Sequence, residues 1–205
     1  MKNNREHIYD GWIYHLAIDM AMARVRRLIK LQIDAGSTLI DIGCGTGELL
    51  FSLADRCSRL VGVERSKGMW TYASRRASNY PRGRLQFIFG DGADLDFIPF
   101  HAFDYATVCM VFHEVTLHMR PLLLREVRRI ARTTIMVDYR VPFPKRSLRA
   151  RSIHLIERLA GRQHYGNFRS FLTTGGLPAL VAGEKLSVLQ EIPLQGNCLH
   201  LLRAE

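Results

Sequence analysis

The segment Leu39-Ile40-Asp41-Ile42-Gly43-Cys44-Gly45-Thr46-Gly47-Glu48-Leu49-Leu50 constrains this chain more than any other. A short apolar run leads straight into three glycines at alternate positions, and a helical pattern begins immediately after them. Glycine is needed where a turn is tight or where backbone must approach a ligand with no intervening Cβ. Open parallel sheets bind ligands at the C-terminal edges of their strands, so the loop is expected to touch a small molecule there.

The flanking pattern agrees. Trp12 to Leu31 repeats apolar residues at three and four positions and predicts an amphipathic helix, broken at Gly36-Ser37. Short apolar runs then alternate with helical stretches. Strands are expected at Thr38–Ile42, Leu60–Glu64, Leu85–Gly90, Tyr105–Phe112 and Thr133–Val137. The helices between them are Thr46–Cys57, Ser66–Ala77 with Ser66 as its cap, and one opened by Pro121 and running to about Arg132. Such alternation implies a parallel sheet covered on both faces. Beyond it come a basic helix over Lys145–Leu159 and a second over Phe168–Val181, interrupted at Gly175-Gly176 and Pro178. Two alternating runs, Lys185–Ile192 and Cys198–Leu202, read as antiparallel strands joined through Pro193 and Gly196.

At 205 residues, with 47% hydrophobic and 23% charged, the chain is sized and balanced for one domain with a buried core. No stretch approaches the roughly 18 apolar residues of a membrane span, and the start MKNNREHIYDGW lacks a secretory apolar run. A cytoplasmic protein is expected. Cys44, Cys57, Cys109 and Cys198 are too scattered for a disulfide framework and form no C-x-x-C pair, so all four read as reduced thiols and no metal is expected. The formal charge of +10 is unevenly placed. From Arg120 to Arg169, 13 Lys/Arg stand against Glu126, Asp138 and Glu157, and this segment holds the whole excess. An anionic partner or surface is suggested there, although Arg125, Arg128, Arg129 and Arg132 opposite Leu122, Leu123, Val127 and Ile130 read most simply as a solvated helix face.

The loop's ligand follows from spacing. A dinucleotide fingerprint places its third glycine one residue later, to seat pyrophosphate on the helix N-terminus. Here Asp41 stands just before the loop, where it repels a pyrophosphate and attracts an ammonium or sulfonium group. Glu64 ends the second strand 21 residues beyond Gly43, about the offset at which an acid meets a ribose diol. Gly90-Asp91-Gly92-Ala93 ends the third strand with a carboxylate and accessible backbone N–H groups, which suits the donor and acceptor edge of adenine.

From about Thr38 to Asp138 these residues resemble the class I S-adenosylmethionine-dependent methyltransferases. Within that superfamily Tyr9-Asp10-x-Trp12 and Asp91-Gly92-Ala93-Asp94-Leu95 are most similar to its small-molecule branch, including ubiquinone and menaquinone C-methyltransferases. The resemblance implies a three-layer, Rossmann-like α/β fold with a seven-stranded, mostly parallel sheet whose last strand is antiparallel. It implies one domain over residues 1–205, with a helical cap at 1–35 and a lid-like helical insertion at 140–182. It also implies a site: Asp41, Gly43, Cys44, Gly45 and Gly47 for the methionine and ribose part of S-adenosylmethionine, Glu64 with Arg65 for the ribose, and Met69 beside the adenine. Asp91, Gly92 and Ala93 meet the adenine edge, and Met110 closes the pocket near the transferred methyl.

His113 follows the fourth strand, where an acceptor nucleophile meets that methyl. It reads either as a general base or as a residue that caps the next helix or bonds backbone. Tyr9, Tyr14, His164 and Tyr165 are expected to line the acceptor pocket, or else to be packing residues of the flanking helices. The expected function is methyl transfer to a small molecule, anionic or membrane-associated, with no stable nucleic-acid partner. Two other functions are carried: RNA methylation through the basic 120–169 segment, and a silent cofactor-binding partner protein.

Overall fold

The computed structural model describes residues 12–81, 83–144, 147–194 and 199–205, the side chains of 12–21 aside. The first helix, α1, spans Trp12–Leu31 as its periodicity predicts. Five parallel strands follow: β1 (Thr38–Ile42), β2 (Arg59–Glu64), β3 (Leu85–Phe89), β4 (Phe103–Cys109) and β5 (Ala131–Tyr139). Helices α2 (Glu48–Leu53), α3 (Lys67–Ala77) and α4 (Met119–Ile130) connect them. Then come α5 (Leu148–Leu159), α6 (Arg162–Thr173), α7 (Gly176–Gly183), β6 (Val188–Leu194) and β7 (Leu199–Ala204).

One sheet holds all seven strands in the order β3-β2-β1-β4-β5-β7-β6, with β7 antiparallel to both neighbours. The expected fold class is therefore the one observed. In β1 and β2 every residue after the first is buried, so both faces are covered, which is why these strands read as continuous apolar runs rather than alternations. Edge strand β6 is exposed along most of its length and carries Pro193, which blunts further pairing. The chain winds outward through β2 and β3, then returns to place β4 on the other side of β1. This reversal opens a crevice above β1 and β4, where such sheets seat ligands.

Several boundaries differ from expectation, each for a local reason. Helix α2 starts at Glu48 rather than Thr46 because Gly47 is left-handed, at φ 81°, and ends at Leu53 because Ala54 and Arg56 tighten into bonds to Phe51 and Leu53. Strand β4 stops at Cys109, since Met110 turns to φ 59°. The run expected over Phe168–Val181 is two helices, divided where Gly175 and Gly176 adopt φ 94° and 62°. Ser66 does cap α3, accepting from Met69 N, and Ser147 does the same for α5 from Ala150 N.

The basic face of α4 is less solvated than its spacing implies. Arg129 pairs with Glu126 and donates to the carbonyls of Leu95 and Ile98, stapling the loop before β4. Arg120 is buried and donates to the carbonyls of Phe112, Val115 and Asn167, tying the end of β4 to α6. Arg125 forms a two-pronged pair with Glu184. Part of the charge excess is thus structural. Among the described residues no helix is long and apolar enough to cross a membrane.

Candidate active site

A cavity of about 440 Å³ opens at the crevice. One end is floored by Asp41, Gly43, Cys44, Gly45 and Thr46; the other is walled by His113, Tyr139, Glu157 and His164. Met69 and Met110 lie along it, and Arg26 from α1 and Arg149 from α5 complete its rim.

At the loop end the three glycines divide their work. A Cβ on Gly43 would fall 2.5 Å from Val111 Cγ2, and one on Gly47 would fall 2.6 Å from the Phe87 ring, so protein packing forbids a side chain at both. A Cβ on Gly45 would meet only the Met69 sulfur, at 3.8 Å, so a side chain there would occupy cavity space. Of the three, Gly45 is the one that packing leaves open toward the cavity, and its φ of 55° also favours glycine there. Below it Glu64 bridges two loops: one carboxylate oxygen accepts from Gly45 N at 2.8 Å and the other from Ser66 N at 2.6 Å.

Asp41 is buried and accepts from the Thr107 hydroxyl at 2.6 Å. Burial pushes its carboxyl up to about 7, the Thr107 bond opposes that, and the Glu64 charge adds to it. Such a group is poised to ionise beside a cationic ligand. Burial likewise holds the Cys44 and Cys109 thiols above their ordinary range, so neither is a nucleophile at neutral pH. Cys44, Cys57 and Cys109 are free thiols, as expected, and Cys198 lies outside the described residues.

The remaining residues expected at the cofactor do not line this cavity. Glu64 and Gly47 lie beneath the loop, and Arg65 is exposed at the mouth of α3. Asp91 is exposed past the end of β3, two strands away, and accepts from Ala93 N at 3.0 Å. Gly92 is required for packing, because a Cβ there would lie 2.3 Å from Ile42 Cγ2.

At the far end His113 is buried and does not cap a helix, since His118 precedes α4. Its Nδ1 lies 2.8 Å from Asp138 Oδ1, and its backbone N–H donates to Asp138 Oδ2. Burial would depress its pKa, but Asp138, by charge and hydrogen bond, then Glu157 and Glu114 raise it to about 9. These carboxylates favour the protonated ring, whereas the general-base role, one of the two readings open from sequence, needs it neutral. Tyr139 donates to Glu157 Oε1 at 2.6 Å, and His164 Nε2 pairs with Glu157 Oε2. Tyr165 does not line the cavity: its ring stacks on Phe168 in the cluster behind the wall. Tyr9 and the Tyr14 side chain lie outside the described residues, as does Arg146.

Asp138, Tyr139 and Glu157 were not expected at the site. A signal for two of them was present: Asp138 and Glu157 are two of the three acids in an otherwise basic segment, and Glu157 adjoins the apolar Ile153 and Ile156 of its helix.

The loop end suits a ligand with positive charge: Asp41 offers a carboxylate, Gly45 leaves room at the backbone, and Met69 offers an apolar side. Comparison with known proteins agrees. A methyltransferase-domain family matches residues 39–134. Demethylmenaquinone methyltransferase of Oceanobacillus iheyensis is 26% identical over 106 residues, half of this chain and 43% of that protein. Nocamycin O-methyltransferase of Saccharothrix syringae is 31% identical over 132 residues, 60% of this chain and 45% of that one. The chain thus spans less than half the length of these curated relatives. Magnesium protoporphyrin IX methyltransferase from Synechocystis PCC 6803, solved with bound SAH, superposes with a TM-score of 0.64 over 98% of this chain and 92% of that one, at 16% identity. Residues 39–134, just under half of the chain, are thus similar to a methyltransferase domain, and the fold is one that solved methyltransferases share.

Proposed function

We propose that this protein transfers a methyl group from S-adenosylmethionine to a small-molecule acceptor, as one domain with α1 for a cap and residues 140–182 for a lid. The observation that carries this reading is the continuity of a single cavity from the Gly43–Thr46 loop to the wall of His113, Tyr139 and His164. At about 440 Å³ it is within the range of small-ligand sites, and α5 and α6 close its far side. The cofactor supplies a methyl on a sulfonium with a neutral leaving group, so the protein's task is to hold nucleophile, methyl and sulfur in line. Alignment of this kind contributes about 7 to 11 kcal/mol of barrier reduction.

In this reading Asp41 ionises against the cofactor's positive charge, Gly45 admits it, and Glu64 fixes the loop while facing the ribose. His113 faces the acceptor at the cavity wall, and Arg26 and Arg149 favour an anionic acceptor. The outer face of α5 exposes Leu148, Leu155 and Leu159 beside Arg151 and Arg158, a composition that fits an acceptor drawn from an anionic lipid surface. Incubation with radiolabelled S-adenosylmethionine and fractionated host extract tests the reading: label is expected in small metabolites or lipid. Label entering RNA would favour action through the basic segment, and tight cofactor binding with no labelled product would leave a silent binding protein.

A further inference from the structure

Three side chains from separate elements meet at the cavity's far wall: His113 after β4, Glu157 on α5 and His164 on α6. One nitrogen or oxygen of each lies within 4.8 Å of the other two. His113 Nε2 is 3.8 Å from Glu157 Oε1, and His164 Nε2 contacts Glu157 Oε2. We propose that these three residues bind a first-row divalent transition metal, zinc or iron(II), with an open coordination position toward the cavity.

The donor set selects the class of ion. Two imidazoles and one carboxylate are the protein ligands of open zinc sites and of non-haem iron sites. Magnesium and calcium favour shells of oxygen alone. Bonds of about 2.0 to 2.2 Å place tetrahedral ligand atoms roughly 3.3 to 3.6 Å apart. His113 Nε2 and Glu157 Oε1, at 3.8 Å, already stand close to that spacing, and all three atoms lie within 4.8 Å.

The surroundings are those of a metal centre. Asp138, fully buried, holds His113 Nδ1 at 2.8 Å and so presents Nε2 to the cluster, the arrangement in which a carboxylate orients a ligating imidazole. The Tyr139 hydroxyl fixes Glu157 in the same way, at 2.6 Å. The charge balance accommodates an ion: Asp138 and Glu157 are buried and Glu114 adjoins them, and a divalent ion takes the place of the proton that these carboxylates otherwise favour on His113, since metal binding to an imidazole releases its proton. All three ligands line the cavity, so the ion has an entry path.

Metal binding stands apart from methyl transfer. Only one consequence rests on the reading above, namely that an acceptor oxygen takes the open position. The test therefore uses neither cofactor nor acceptor. The full chain, stripped with a chelator, is titrated with Co2+ and followed by visible absorption. One equivalent is expected to bind with a ligand-field band of low-coordinate cobalt, Zn2+ is expected to displace it, and elemental analysis of the protein as purified distinguishes zinc from iron. His164→Ala and Glu157→Gln are each expected to weaken Co2+ binding at least a hundredfold, with Tyr165→Phe unchanged and circular dichroism reporting the fold of each. A wild-type chain that develops no band, or a band that survives His164→Ala, overturns the proposal. A chain that develops no cobalt band yet methylates a small molecule would refute this proposal and leave the functional reading in place.

Discussion

The two ends of the cavity are made from different material. The cofactor end is a backbone loop, Gly43 to Thr46, held by hydrogen bonds to one acid; the far end is a group of charged side chains borne on β5, α5, α6 and the turn after β4. A loop of this kind is encoded by consecutive residues, since glycine at 43, 45 and 47 admits the left-handed φ of 71°, 55° and 81° that other residues resist. A side-chain cluster is encoded by residues that are neighbours only after the sheet and its lid have formed. The loop end therefore tolerates change in its surroundings and little in itself, and the far end depends on each ion being balanced.

Removing one partner of the buried ions is the largest test of that difference. Asp138→Asn leaves the His113 imidazolium without its counter-charge in a buried site, and loss of one partner from a buried pair costs about 3 to 5 kcal/mol. Denaturant unfolding at neutral pH should show that loss, while a change below about 1 kcal/mol would mean the ring is not charged there. At the loop end Gly45→Ala should cost about 1 to 2 kcal/mol of stability, because its φ is 55°, leave the chain folded, and weaken S-adenosylmethionine at least a hundredfold, about 2.8 kcal/mol. Calorimetry finding near wild-type affinity in the folded variant would take Gly45 out of the site.

Much of the fold was legible before the structure, because α1, β1 and β2 and the cap at Ser66 depend on local periodicity and spacing. The cofactor loop was legible for the same reason. The division of labour among its glycines was not, since Gly43 and Gly47 are set by Val111 and Phe87, which are far away in sequence. The surroundings of His113 were not legible either: its neighbour Asp138 stands 25 residues on, and Glu157 and His164 belong to helices whose docking no spacing rule predicts.

Glu64 sits at the junction of local and distant information, and its substitution has an intermediate effect. Its carboxylate accepts from two backbone N–H groups, and hydrogen bonds to a charged group contribute about 1.5 to 3 kcal/mol each. Glu64→Ala should weaken cofactor binding by about 1.5 to 3 kcal/mol if a ribose contact is lost, and also loosen the loop. Glu64→Gln keeps one acceptor, for the Gly45 N–H, but sets its NH2 against the Ser66 N–H, so it should loosen the loop less than Glu64→Ala while removing the charge. Equal affinity in all three proteins would mean that Glu64 serves the loop alone.

The smallest effect, and the sharpest test of what the loop end binds, is a pH dependence. Asp41 has its carboxyl raised from 3.8 to about 7 by burial. In the protein alone this lowers stability as pH climbs from about 4 to about 7, because the unfolded chain releases that proton first, and the loss levels off above 7. A cationic ligand reverses the preference, since it favours the ionised carboxylate. S-adenosylmethionine affinity should therefore rise by up to tenfold per pH unit toward pH 7, about 1.4 kcal/mol per unit, and flatten beyond it, with a proton released on binding below 7. His113, raised to about 9, holds its proton across that window and does not mask the effect. Calorimetry in buffers of differing ionisation enthalpy measures the released proton directly. Asp41→Asn should abolish both the slope and the release; a wild-type affinity that is level from about pH 5.5 to about pH 8 would mean that no positive charge comes to rest beside Asp41.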